Sequence, residues 1–296
     1  MSITKQTKRG FTLIELLVVI AIIGILMALV IVGIGLMMTK TKATKDLTNH
    51  KAIGLANWSH SIDNNGRLLH PRTEVNNVGN QFSGADRIWV WAYDDDETTR
   101  LNADGSELPS ALEDGAAFAY IGNIDAFHSP LDLADRLRSY SMSAYIGVEE
   151  FVDDFDGFAV FNNDNDPSLD FFHQTITASQ IPQPSNTMSS ISESDVRHSR
   201  NMNGWVLHPN STMPFIRWYD YPAFWVPGEV NISYVDGSTG TVKLTTAALT
   251  DHWEEILEDP TNPSNDNWND PARASEDDYM RFRKKLLPGR IGNILD

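Results

Sequence analysis

From Leu16 to Thr39 the chain runs for 24 residues without a charge, and nearly all of them are apolar. As a helix, at about 1.5 Å per residue, this run is roughly 36 Å long, enough to cross a bilayer core of about 30 Å. The polar stretch before it, Met1 to Gly10, carries Lys5, Lys8 and Arg9 and no acid. Three cations on that side hold the N-terminus in the cytoplasm and send the C-terminus outward. An ordinary secretory signal peptide has an apolar core of about 7–15 residues followed by a small-residue cleavage site. This run is too long, and no Ala-x-Ala stands at its end. A simple membrane anchor explains the length but not Glu15, which lies at the very edge of the apolar run. A carboxylate there is costly, so it points to a function.

The residues around that carboxylate carry a family resemblance. Arg9-Gly10-Phe11-Thr12-Leu13-Ile14-Glu15-Leu16-Leu17-Val18-Val19-Ile20 resembles the cleavage and methylation motif of type IV prepilins and type II secretion pseudopilins. The resemblance implies cutting after Gly10 and N-methylation of Phe11 by a prepilin peptidase/methyltransferase. It makes Glu15 the fifth residue of the mature chain, facing the terminal amine of a neighbouring subunit. The physics agrees, because a buried carboxylate needs a positive partner and the Phe11 amine of the next subunit supplies one. Cleavage takes three cations and no acid, moving the formal charge from -17 to -20 before the new amine is counted. The further partners implied are other pilin-like subunits, in a homo- or hetero-polymer, an inner-membrane assembly platform and the lipid bilayer. The expected location is the bacterial inner membrane, single-pass, with a periplasmic or extracellular head.

Helical character continues beyond the apolar run. Lys40, Lys42 and Lys45 follow it, then Leu47, Leu55, Trp58 and Ile62 recur at near-helical spacing. Asp63-Asn64-Asn65-Gly66 reads as a stop, so one helix of about fifty residues is expected from Phe11. Its first half packs in lipid or in a filament core, and its second half lays an apolar stripe on a head. Gly24, Gly33 and Gly35 allow close approach in a packed bundle. Val32 stands at the mature position where many pilins have proline, so no proline kink is implied.

The organisation expected is a leader at 1–10, a membrane or filament-core helix at 11–39, the distal helix at 40–66, a soluble α+β head at 67–259 and an acidic tail at 260–296. In the head, Arg87 to Tyr93 reads as a strand, and 186–192 and 203–208 as further strands. The clearest hairpin is Val230 to Val235, turn Asp236-Gly237, then Thr239 to Leu244. Helices are expected from about Thr245 to Leu257 and from Glu276 to Leu287. An apolar fraction of 41% and an aromatic fraction of 10% suffice for a packed core. A chain of charge -17 lacks the positive surface that phosphate backbones need, so no nucleic acid is expected. With no cysteine there is neither a disulfide nor a thiolate metal site.

A second, looser resemblance lies in the head. Phe127 to Asp132, followed by Arg138-Ser139-Tyr140-Ser141-Met142-Ser143-Ala144-Tyr145-Ile146-Gly147, resembles a segment of large pseudopilins of planctomycete and verrucomicrobial type. Asn231-Ile232-Ser233-Tyr234-Val235-Asp236-Gly237 resembles their C-terminal signature. Those relatives have Cys-Pro where Ser129-Pro130 stands here. Val226 and Ser238 occupy positions that hold histidine in that signature, so no histidine role carries over.

Eight histidines are scattered along the chain with no His-Glu-x-x-His pair; His252-Trp253-Glu254-Glu255 lacks the second one. No Gly-x-Ser-x-Gly, phosphate loop or dinucleotide fingerprint occurs, and no enzyme activity is expected. Clustered carboxylate and amide oxygens suit calcium. The candidates are Asp94-Asp95-Asp96, the set Asp153, Asp154 and Asp156, and the set containing Asp164 and Asp166. None has the EF-hand spacing, and a solvated acidic loop explains each more simply. No other cofactor is implied. Trp89, Trp91, Trp218 and Trp225 could form a sugar-binding face, but core packing is the simpler account. The fold expected is therefore α+β, a long membrane helix packed on a small antiparallel sheet. The function expected is that of a structural subunit, a pseudopilin or minor pilin-like protein. The alternatives are a membrane-tethered binding module for polysaccharide or exported protein, and a tethered hydrolase.

Overall fold

One helix, α1, runs unbroken from Leu13 to Asp63. The computed structural model describes residues 11–73, 85–92, 107–148, 176–194, 204–205, 207, 220–245, 250–251 and 276–286. The chain divides into two compact units, 1–43 and 44–296, with the boundary inside α1.

Both ends of α1 follow from local chemistry. Thr12 precedes the first helical residue, and its backbone N–H and hydroxyl donate to Glu15 Oε2 at 2.8 and 2.7 Å, while Glu15 N–H donates to Thr12 Oγ1 at 3.3 Å. This is a reciprocal capping box, which satisfies amides that the first turn otherwise leaves without partners. At the other end Asn65 and Gly66 take positive φ, +56° and +83°. The Gly66 amide reaches back to the Ser61 carbonyl at 2.6 Å, the closing bond of a left-handed helix terminus. The expected Asp63-Asn64-Asn65-Gly66 stop is where the helix ends.

Among the described residues of the unit 44–296, four antiparallel strands pair in the order β1-β2-β3-β4: β1 (Tyr140–Met142), β2 (Met188–Ser192), β3 (Glu229–Tyr234) and β4 (Thr239–Lys243). Register places Ser141 opposite Ile191, Ile191 opposite Ile232, and Val230 opposite Val242. The β3–β4 hairpin forms where expected. Gly237 sits at φ +80°, and Asp236 Oδ1 accepts from the Ser238 amide and hydroxyl at 2.9 and 2.6 Å, a side-chain-locked turn. Strand 186–192 is also found, as β2, and the expected C-terminal helix is α4, Glu276–Leu286. Two short helices, α2 (Pro109–Glu113) and α3 (Phe118–Ile121), lie between α1 and the sheet in sequence.

Two apolar clusters make the core. One joins Ile191, Val230, Ile232 and Val242 of the sheet to Trp205, Phe224 and the Tyr279, Phe282 and Leu286 face of α4. The other joins Ile53 of α1 to Leu69, Trp89, Val90, Leu112, Phe127 and Met142. Each fully buried large apolar side chain contributes about 1.5–3 kcal/mol. Beside the second cluster, Arg138 donates to Glu107 at 2.7 Å with both side chains nearly closed to solvent, and its guanidinium lies 5.3 Å from the Trp89 ring centre.

Three expectations change. Arg87 to Tyr93 is not a strand over its described part. Ala85–Arg87 is a 3-10 turn, and Ile88 makes one parallel bridge to His70. The amides of Trp91 and Ala92 then go to different partners, the carbonyls of Ala111 and Thr73, so no ladder builds. Residues 204, 205 and 207 give an isolated bridge from Trp205 to Ser143 rather than a described strand. The buried stripe of α1 differs too. Leu55 and Ile62 are 42% and 69% exposed, whereas Asp46, Asn49, His50, Ile53, Asn57 and His60 are buried. The spacing is helical as expected, but the face is largely polar because the sheet face it meets carries serine and asparagine. Of the helix expected at Thr245 to Leu257, Thr245 is a bend rather than helical, Thr250 and Asp251 are helical, and the rest lies outside the described residues.

Candidate functional site

The first candidate site is the start of α1. Phe11 is 76% exposed, and none of the side chains from Leu13 to Val30 is buried. This stretch is long and apolar enough to cross a membrane. A helix apolar on every side has no preferred face to place on a core, so lipid or other apolar helices must surround it. Glu15 is the single acid of that stretch, and Thr12 supplies its hydrogen bonds within the chain. Thr12 and Glu15 have the Thr-x-x-Glu spacing of a capping box. Gly10 lies outside the described residues.

The second is a polar seam between the distal part of α1 and the sheet. Asp46 Oδ1 accepts from the Tyr140 hydroxyl of β1 at 2.7 Å, and Oδ2 from Asn231 Nδ2 of β3 at 2.8 Å. Thr241 of β4 donates to Asn231 Oδ1 at 2.8 Å. One turn on, His50 lies between two hydroxyls of β2, with Nδ1 2.8 Å from Ser190 Oγ and Nε2 2.9 Å from Ser192 Oγ. Ser190 Oγ is also 2.6 Å from Ser233 Oγ. Asn57 donates to Ser189 Oγ at 2.9 Å and accepts from the Leu69 amide at 2.8 Å. Asn49 donates to the His128 carbonyl at 2.8 Å. Gly54 lets the helix approach. A Cβ there would lie 3.0 Å from Ser233 Cβ and 3.2 Å from the Tyr234 carbonyl oxygen.

Burial sets the protonation states. It pushes the His50 imidazole down to about 4, against a smaller opposing pull from Asp46. Burial also holds His60 below the ordinary imidazole value, and His70 well below it. The Tyr140 phenol is pushed far above its ordinary range by burial and then by Asp46. These histidines are neutral at pH 7, as a dry interior requires.

Asp46, His50 and Ser190 unite the residue types of a hydrolytic triad, but Asp46 spends its oxygens on Tyr140 and Asn231, not on the imidazole. All three are buried. The arrangement joins a helix to a sheet and leaves no face for a substrate. Nor is there a tryptophan platform among the described residues: Trp89 and Trp205 are wholly buried, and Trp58 and Trp225 pack against the core. Among the described residues no group of three or more His, Asp or Glu side chains is placed to hold a metal. Asp94 to Asp96, Asp153, Asp154, Asp156, Asp164, Asp166 and Trp218 lie outside them.

Residues 5–31 match the family described as the prokaryotic N-terminal methylation motif. No curated protein and no solved structure matches the chain. The match covers the region that holds the capped Glu15 and the apolar helix. It supports a pilin-like protein, processed by prepilin peptidase and anchored in a membrane by one helix.

Proposed function

We propose that this chain is a structural subunit, cut after Gly10, N-methylated at Phe11 and assembled into a type II secretion pseudopilus or type IV pilus-like filament. The observation that carries this reading is the conjunction, within residues 5–31, of the methylation motif and a helix that is apolar all round with no buried residue from Leu13 to Val30. In the inner membrane, lipid covers that helix. In a filament, neighbouring copies of it do. Glu15 then exchanges its Thr12 cap for the Phe11 amine of a neighbour, which fixes subunit register. The head faces outward and carries partner specificity. The Asp236-Gly237 hairpin and the Arg138 to Gly147 segment, which supplies β1, support grouping it with the large pseudopilins.

The test is assembly. In cells carrying the cognate machinery, the wild-type chain is expected in the sheared filament fraction. A Glu15→Val chain is expected to be cleaved but to stay in the membrane. Equal recovery of the two chains in filaments would remove the register role of Glu15, and a wild-type chain that never leaves the membrane would remove the subunit reading.

A further inference from the structure

We propose that His50 is a proton sensor that loosens α1 from the sheet when the surrounding medium turns acid. The inference concerns the head and does not depend on whether the chain polymerises. Its basis is the geometry of the seam. Both ring nitrogens of His50 are engaged, by Ser190 and Ser192, and the residue is wholly buried. A neutral imidazole offers one donor and one acceptor, so one of these hydroxyls donates to the ring while the other accepts from it. A second ring proton turns both nitrogens into donors and forces the donating hydroxyl to reorient. Ser190 has Ser233 as an alternative acceptor at 2.6 Å.

The new charge would also need compensation. The groups facing His50 are Asp46 on its own helix and the Tyr140 ring on β1, whose centre is 4.5 Å away. β2 meets it with the hydroxyls of Ser190 and Ser192, β3 reaches Ser190 through the Ser233 hydroxyl, and β4 reaches the seam through the Thr241 hydroxyl. Glu193, the residue after Ser192, is hydrogen-bonded to Ser141. Asp46 favours the charged imidazole but is outweighed by burial. Its oxygens already serve Tyr140 and Asn231, so turning toward His50 would cost β1 and β3 their bonds to this carboxylate. Opening the seam lets water reach the ring, so protons stabilise the open state over the closed one.

The sign is fixed by linkage. A histidine held down at about 4 when packed, and near 6.5 when released, stabilises the packed state fully above pH 6.5 and loses that contribution as pH falls toward 4. From pH 7 to pH 5 the opening equilibrium should rise about 20-fold. The experiment is amide hydrogen exchange of the full-length protein in detergent micelles at both pH values, corrected for the intrinsic chemical rate. It compares wild type, His50→Gln, which keeps a donor and an acceptor but cannot titrate, and His70→Gln, a control for the other buried imidazole. Amides of residues 46–61 should open about 20-fold more at pH 5 in wild type and in His70→Gln, and only a few-fold more in His50→Gln. Equal pH dependence in wild type and His50→Gln, or its loss in His70→Gln instead, overturns the proposal. If His50→Gln does not fold, wild-type exchange followed alongside the NMR titration of the His50 imidazole decides: opening of residues 46–61 that rises between pH 7 and pH 5 together with the imidazole signal upholds the sensor, and exchange that stays flat over that range overturns it.

Discussion

Asn57 joins three elements with one amide. Its donor meets Ser189 on β2, its acceptor takes the Leu69 amide just beyond α1, and no solvent reaches it. Replacing it by alanine leaves the Leu69 N–H buried without a partner, and a buried donor left unpaired costs about 1–3 kcal/mol. Asn57→Ala should therefore lower head stability by about 2 kcal/mol in urea unfolding. A change below about 0.5 kcal/mol would mean that water replaces the amide at no cost. The same logic explains why the seam was not legible as a packing face. Asp46, Asn49, His50 and Asn57 recur at helical spacing, yet their polarity marks a solvated side. The available signal was the matching serines in Met188–Ser192, which only pairing in space connects to the helix.

At the scale of elements, α1 is one helix in two settings. Up to Val30 it is apolar on all sides, and from Asp46 it buries a polar face. Polar contacts demand exact alignment, so they fix the register of the helix on the sheet more tightly than a greasy stripe would. Gly54 lies close against β3, and a large side chain there must push that strand away. Gly54→Leu should destabilise the head by about 1–3 kcal/mol, although leucine is the better helix former. Thermal unfolding measures this, and an unchanged or raised midpoint would show that the gap is not filled. The extent of α1 and the β3–β4 hairpin were legible because their signals are local: an uncharged run, an Asn-Gly stop and an Asp-Gly turn. The Arg87 to Ala92 segment was not. Its aromatic and β-branched residues suit a strand, but the amides of Trp89, Trp91 and Ala92 go to three different partners, the carbonyls of His70, Ala111 and Thr73, a tertiary outcome that local propensity does not encode.

At the scale of the molecule, the two compact units divide the labour. Residues 1–43 hold the apolar helix, whereas residues 44–296 contain both core clusters, with α4 closing one of them. A fragment of residues 44–296 should therefore stay soluble without detergent and unfold in one cooperative transition by circular dichroism. A fragment that aggregates or melts without cooperativity would show that the head needs its anchor. The family match at residues 5–31 bears on the N-terminus alone, and the central claim stands or falls there. The decisive measurement is mass spectrometry of the N-terminus of the membrane-extracted chain from cells with and without prepilin peptidase. The account predicts a chain that starts at N-methylated Phe11 when the peptidase is present and at the leader when it is absent. A chain that keeps its leader in both, or is cut beyond Thr39, would contradict it.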